Sequence, residues 1–273
     1  IAQMGLTAYE YQCGRGVRTT QATAEAFGKK AAEHGVAVSV HAPYYISLAS
    51  ADEEKRHNSV RYILDSARLV HWMGGDRIVV HPGGLGGRSR EEATALACET
   101  LREAQAVLDA EGLSAVHMCP ETMGKINQLG DLDEVLELCT LDERLVPCVD
   151  FGHLYARSLG ELEGTAACAS MLDRIEAVSQ KYKKPVLFSE AGCMNITGSS
   201  AVPNNWELKG TRNDLEQADW YEAMFSACAK RPWVMGFGVW DWPADTRAVS
   251  AYAVSGRPAA KIIHSAYQGG VLE

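Results

Sequence analysis

Short apolar runs alternate with longer amphipathic segments along the whole chain. The apolar runs predict seven strands, at residues 6–12, 37–41, 77–81, 115–121, 146–150, 185–190 and 234–241. The segments between them predict seven helices, at residues 20–34, 52–73, 90–111, 132–139, 165–182, 215–230 and 258–267. Strands that alternate with helices are typical of a parallel sheet covered by helices.

The polar residues at the ends of these strands favour one architecture. Six strands are predicted to end on, or next to, a side chain that could do chemistry: His41, His81, Glu121, Asp150, Glu190 and Asp241. In a barrel the carboxyl ends of the strands meet at one mouth, whereas in an open sheet they spread along an edge. We therefore expect an α/β fold, a (β/α)8 TIM barrel that forms a single domain over residues 1–273. Residues 1–5 resemble the end of a helix, so this barrel either lacks or replaces its first strand.

Composition and charge exclude several classes of protein. The chain has 273 residues, 47% of them hydrophobic, and 35 acidic residues against 26 basic ones give a net charge of −9. A strong general affinity for nucleic acid needs clustered Lys and Arg and is not expected. Neither a membrane span nor a signal peptide is predicted. The eight cysteines form no CxxC pair, so we expect reduced thiols and a cytoplasmic protein. No pattern predicts an oligomeric state.

Histidines and carboxylates at successive strand ends predict a metal site. The candidate ligands are His41, His81, Glu121, Asp150 and His153. Imidazole and carboxylate ligands in this mixture suit zinc, with manganese or iron as alternatives. A single histidine at a strand end is more often a hydrogen-bonded structural residue, but five such groups on four strands favour a metal.

Five segments of the first part of the chain carry a resemblance to a known family: GLTAYEYQCGRGVR, SVHAPYYISLAS, RIVVHPGG, PETMGKINQLG and CVDFGHLYAR. Through them, residues 5–157 resemble endonuclease IV-type barrels, a group that includes sugar isomerase-like proteins. In that family up to three zinc ions cleave DNA at abasic sites. The resemblance implies that His41, His81 and Glu121 bind one metal ion, that Glu121 and Asp150 share a second, and that His153 binds a third. Later histidines of the family pattern are missing, because His264 is the only histidine after Arg157.

The second part of the chain resembles a different family. The resemblance is carried by four segments: KKPVLFSEAG, DLEQADWYEAMF, RPWVMGFGVWDWPAD and GRPAAKIIHSAY. Through them, residues 165–273 resemble the C-terminal part of clan-A glycoside hydrolases, the β-mannanase-like ones above all. This resemblance implies that Glu190 is a catalytic nucleophile and that Trp240 stacks on a sugar. The acid/base glutamate of that clan has no match here, since its strand ends in His81 and Pro82. The chain therefore looks like a chimera of an endonuclease IV-like part (1–160) and a glycoside hydrolase-like part (161–273).

Three functions follow from these two half-matched sites. The first is a metal-dependent hydrolase of phosphodiesters or sugar phosphates, with Glu121 as a catalytic residue and a small-molecule, sugar or abasic-DNA-like substrate. The second is a glycoside hydrolase or carbohydrate binder that needs no metal and uses Glu190. The third is a recombined or engineered barrel with little or no activity. The candidate substrate-binding residues are Arg15, Arg18, Tyr44, Trp240 and Asp241.

Overall fold

The structure is a computed structural model of the chain. It describes Ala2 and residues 5–159, 164–183, 185–203, 205–242 and 250–268. The chain divides into two compact units. The amino-terminal unit is Thr7–Val149, and the carboxy-terminal unit is Asp150–Glu273 together with Gln3–Leu6. The single-domain organisation stays a prediction, and the prediction for residues 1–5 falls mostly outside the described residues.

The amino-terminal unit contains four strands and four helices in alternation. The strands are β1 (Ala8–Gln12), β2 (Ala37–His41), β3 (Arg77–Val80) and β4 (His117–Pro120). The helices are α1 (Gln21–Glu33), α2 (Glu53–Trp72), α3 (Arg90–Ala110) and α4 (Leu132–Leu138). The helices begin where the sequence places capping residues: Ser89 with Glu92, and Asp131 with Glu134, form capping boxes that satisfy the first backbone N–H groups.

The four strands form one parallel sheet in the order β1-β2-β3-β4. Successive side chains of a strand point to opposite faces, so the sheet has two different sides. One side carries the main core of the unit, to which Val38, Val40, Ile78, Val80 and Met118 belong. Val79, Cys119 and Cys148 form a small separate cluster. The residues that alternate with the main core are polar at several positions, and these positions build the candidate site.

The predicted strand over residues 146–150 is wrong. The segment makes two isolated parallel bridges, Leu145 with Met118 and Cys148 with Glu121, instead of a continuous ladder. Pro147 lies between them and has no backbone N–H to donate to a neighbouring strand. Asp150, predicted as the last residue of this strand, is instead the N-cap of a helix that the sequence analysis missed, α5 (Phe151–Arg157).

The carboxy-terminal unit contains the parallel pair β5 (Val186–Ala191) and β6 (Val234–Val239). Helices come before, between and after these two strands in the sequence. These helices are α5, α6 (Gly164–Tyr182), α7 (Asp214–Cys228) and α8 (Pro258–Tyr267). Its core includes Tyr221 and Phe225 of α7 and Ile263 of α8. The amphipathic pattern therefore predicted α6, α7 and α8 correctly to within two residues.

Two further expectations concern the chain as a whole. No helix in the described residues has both the length and the apolar composition that crossing a membrane requires. No disulfide joins the seven cysteines whose side chains the structure describes, and all seven are buried.

Candidate functional site

Three of the predicted metal ligands come from three neighbouring strands of the amino-terminal unit. His41 is the last residue of β2, while His81 and Glu121 directly follow β3 and β4. Because the strands are parallel and in register, their carboxyl ends lie side by side. His41 and Glu121 are fully buried, and His81 is partly buried. The sequence therefore predicted the positions of these residues, and the sheet brings them together.

The donor atoms of this group have the spacing of a metal site. Glu121 Oε2 lies 2.8 Å from His81 Nε2 and 3.4 Å from His41 Nε2. One ligand atom of each residue lies within 4.8 Å of the other two. Ligand atoms about 2 Å from a tetrahedral ion are roughly 3.3 Å apart. Two imidazoles and one carboxylate therefore fit a zinc-like ion with an open coordination position.

The electrostatics of the group favour a bound cation. Burial disfavours the ionised carboxylate of Glu121, but contacts from His41 and His81 outweigh it and hold its pKa well below the usual value. Burial likewise disfavours the charged form of His41, yet the contact with Glu121 outweighs it and raises the pKa of His41 to about 9. Without a metal, His41 and Glu121 form a buried ion pair, and a divalent cation would displace the histidine proton.

Two neighbouring groups contact the candidate ligands His41 and Glu121. His41 Nδ1 lies 2.9 Å from the carbonyl oxygen of Ala42, and a donated N–H there leaves Nε2 to face the site. The thiol of Cys148 lies 3.7 Å from Oε1 of Glu121 and can donate to it. The carboxylate thus turns one oxygen toward the thiol and the other toward the histidines.

Glu10 of β1 is a residue of this region that sequence reasoning missed. It pairs in register with Ser39 of β2, whose hydroxyl donates to Glu10 Oε2 over 3.1 Å. Gln12 Nε2 donates to Glu10 Oε1 over 3.2 Å. Burial is the main reason why the pKa of Glu10 rises to about 7. The signal was the alternation in AYEYQ, which puts the polar residues Glu10 and Gln12 on one face of the strand.

The predicted substrate-binding residues of this unit lie in two places. The Tyr44 ring lies 5.3 Å from the rings of both His41 and His81, and it is about half exposed (48%). Arg15 and Arg18, both exposed, line a cleft of about 370 Å³ together with Gln12. The structure therefore brings Tyr44 to the ligand group and places the two arginines along a cleft that begins at the end of β1.

The other two predicted metal ligands belong to the carboxy-terminal unit. Asp150 Oδ1 accepts from the backbone N–H of His153 over 2.8 Å, as an N-cap does. Asp150 Oδ2 also lies 3.3 Å from His153 Nδ1. These contacts explain how the two side chains are held at the start of α5. Their part in binding further metal ions stays a prediction.

The predicted sugar site lies on the paired strands of the carboxy-terminal unit. Glu190 is the next-to-last residue of β5, and Trp240 directly follows β6. The Trp240 N–H donates to the carbonyl of Ala191 over 2.9 Å, so Glu190 and Trp240 lie at adjacent strand ends. The peptide bond between Trp240 and Asp241 is cis. The Asp241 carboxylate accepts from the Ser250 hydroxyl at 3.0 and 3.2 Å.

Comparisons with known proteins find similarity to two kinds of protein. The family model of Glycoside Hydrolase Family 113 matches residues 155–255. An uncharacterized protein of Methanocaldococcus jannaschii is 35% identical over 183 residues, which are 66% of this chain and 64% of that protein. A probable endonuclease 4 of Acholeplasma laidlawii is 32% identical over 123 residues, or 43% of this chain and 41% of that protein. The chain thus spans less than two thirds of the length of these curated relatives.

Solved structures show the fold. A GH113 beta-1,4-mannanase structure has a TM-score of 0.64 at 20% identity and covers 97% of this chain and 88% of its own. Endonuclease IV from Thermus thermophilus has a TM-score of 0.58 at 22% identity and covers 90% of this chain and 86% of its own. Both are TIM barrels, so the predicted fold class is confirmed. The predicted resemblance to both families is confirmed as well.

Proposed function

We propose that the protein is a metal-dependent hydrolase of phosphodiesters or sugar phosphates, with a metal ion held by His41, His81 and Glu121. One observation carries this proposal: two imidazole nitrogens and a carboxylate oxygen from three strands converge within 4.8 Å in a buried position. Three protein ligands are the number that leaves a position for water or substrate. Zinc is the ion that we expect, with manganese or iron as alternatives.

A divalent ion in this position would supply Lewis acidity, which lowers the pKa of water and draws charge from a phosphate oxygen. The residues of the chain would do the remaining work. Glu121 keeps its negative charge because both histidines contact it. His41 presents Nε2 because its Nδ1–H is donated to Ala42.

The substrate would contact residues beside the ligand group. Guanidinium groups match the oxygens of a phosphate, so Arg15 and Arg18 would bind the phosphate or its neighbour in the cleft that they line. The exposed face of Tyr44 would contact the sugar or base of the same substrate. The similarity to probable endonuclease 4 proteins supports an abasic-DNA-like substrate as the first one to test.

A glycoside hydrolase is the second candidate, and a specific observation favours it. Glu190 and Trp240 lie at adjacent strand ends within the segment that the Glycoside Hydrolase Family 113 model matches. Glu190 would be the nucleophile, while Trp240 would stack on the sugar and Asp241 would bind its hydroxyl groups. Retaining glycosidases need a second carboxyl group about 5–5.5 Å from the nucleophile, and the sequence pattern of the clan supplies none here.

One crossed experiment separates these functions. Wild-type protein, Glu121→Gln and Glu190→Gln are each assayed on a DNA duplex with one abasic site, on bis(p-nitrophenyl) phosphate and on mannooligosaccharides, with zinc and with chelator. We expect phosphodiester cleavage that chelator and Glu121→Gln abolish and that Glu190→Gln leaves unchanged. Cleavage of mannooligosaccharides that only Glu190→Gln abolishes would instead establish the second candidate. No turnover of any substrate by zinc-loaded protein would contradict both and support the inactive barrel.

A further inference from the structure

The first strand carries a polar pair that neither candidate function uses. Tyr9 and Tyr11 of β1 pack against Phe27 of α1, with ring centroids 5.6 and 6.5 Å apart. The alternating residues Glu10 and Gln12 therefore point to the other face of the sheet. The register pairs Glu10 with Ser39 and Gln12 with His41, so this polar pair shares its face with a metal ligand.

Hydrogen bonds run from Tyr44 through Gln12 to Glu10, each residue donating to the next. The Tyr44 hydroxyl donates to Gln12 Oε1 over 3.3 Å, and Gln12 Nε2 donates to Glu10 Oε1 over 3.2 Å. The Ser39 hydroxyl donates to Glu10 Oε2 over 3.1 Å from the other side. The amide of Gln12 can satisfy both neighbours in one orientation only, because the oxygens of Glu10 require its NH2 group.

This series of hydrogen bonds ends at Tyr44, which packs against the proposed metal ligands His41 and His81. The Tyr44 ring lies 5.3 Å from the ring of His41 and equally far from that of His81. The His41 and His81 rings are 4.7 Å apart and nearly perpendicular, so Tyr44 packs against a two-ring surface. About half of Tyr44 is exposed (48%), and burial alone does not hold its side chain there.

We propose that Glu10 and Gln12 are positioning residues that hold Tyr44 against His41 and His81. This inference rests on the proposed function, because it assigns the two histidines to a metal ion. Neither Glu10 nor Gln12 touches the metal ion in this account, although Gln12 also lines the cleft assigned to the phosphate. They act through Tyr44, which restricts the two imidazole rings to the orientation that binds the ion.

A double-mutant cycle tests the assignment. Gln12→Leu removes the amide, Tyr44→Phe removes the hydroxyl but keeps the ring, and Tyr45→Phe is the matched control on the neighbouring tyrosine, which packs on Tyr62. Zinc affinity is measured by competition with a chromophoric chelator. We expect each single variant and the double variant to lose the same factor, about tenfold, while Tyr45→Phe loses none. Losses that multiply in the double variant, or no loss in either single variant, would overturn the assignment.

The same cycle in metal-free protein separates this inference from the proposed function. The melting temperature should fall by about 2–4 °C in each single variant and no further in the double variant. If the wild-type protein binds no zinc, the proposed function is contradicted. A non-additive cycle in the metal-free protein would even then show that Gln12 acts through Tyr44. Additive shifts in melting temperature would show that Gln12 does not act through Tyr44.

Discussion

The thiol of Cys148 lies 3.7 Å from Oε1 of Glu121, on the segment that bridges directly to the glutamate backbone. The other oxygen of the same carboxylate, Oε2, faces His41 and His81. A weak donor on one oxygen fixes the plane of the carboxylate without neutralising it. Cys148 is thus placed to orient the carboxylate that we propose as a metal ligand.

Replacing Cys148 should therefore weaken metal binding without unfolding the protein. Cys148→Ala removes the donor, and we expect zinc affinity to fall by about tenfold, as for other groups that orient a ligand. Cys148→Ser keeps a donor and should lose less. Cys98→Ala, at another buried cysteine on α3, is the control. Chelator competition measures all four proteins, and equal losses at Cys98 and Cys148 would count against the orienting role.

Glu10 should make the metal-free protein less stable as the pH rises. Its pKa is about 7 in the folded protein and near 4.5 in the unfolded chain, so the folded state binds the proton more tightly. The stability from this group is fully present below about pH 4.5 and is lost as the pH rises through 7. Glu10→Gln stays neutral, so between pH 5 and pH 8 wild type should lose about 1–3 kcal/mol relative to the variant. Urea unfolding in chelator measures this difference, and parallel pH profiles would contradict the account.

Two buried glutamines should respond in opposite directions to the same substitution. Neither side-chain polar atom of Gln105 makes a hydrogen bond to the described residues, whereas Gln217 Nε2 donates to the Cys193 carbonyl over 2.7 Å. Gln105→Met removes an uncompensated amide and should stabilise the protein by about 1 kcal/mol or more. Gln217→Met leaves a buried carbonyl without its donor and should cost about 1–3 kcal/mol. The denaturant midpoints of the two variants measure these effects. Destabilisation by both substitutions would contradict the expected difference between the two glutamines.

Gly28 should be essential for packing α1 on the end of α2. A Cβ added at Gly28 would lie 2.3 Å from the carbonyl oxygen of Met73. Replacing glycine by alanine normally stabilises a helix by about 1 kcal/mol, but here we expect Gly28→Ala to cost about 2 kcal/mol or more. Gly84→Ala, where a Cβ meets nothing within 4 Å, should change stability by less than about 0.5 kcal/mol. Thermal unfolding of both variants tests this, and a stabilised Gly28→Ala protein would show that the two helices can move apart.

The regular elements could be predicted because their causes are local. The alternation of apolar positions predicted β2 and the amphipathic pattern predicted α2 and α3, all from residues close to one another in sequence. The missed helix α5 had such a signal too. Asp150 is a good N-cap, but its place after an apolar run favoured the reading as the end of a strand.

The site was only partly predictable, because part of it depends on register. His41, His81 and Glu121 could be selected singly, since each follows an apolar run. Glu10 could not, because its environment is made by Ser39 on the neighbouring strand and by the register that pairs them. The orienting contact of Cys148 likewise requires the bridge across Pro147, which no local pattern predicts.

Metal content tests the central claim most directly. Wild-type protein, His81→Ala and the exposed-histidine control His57→Ala are purified with zinc supplied, desalted and analysed by plasma mass spectrometry. We expect wild type and His57→Ala to retain about one zinc ion per chain or more, and His81→Ala to retain clearly less, because a tetrahedral site loses one of its three protein ligands. Less than about 0.2 zinc per chain in the wild type, or equal content in wild type and His81→Ala, would contradict a metal site built on these strand ends.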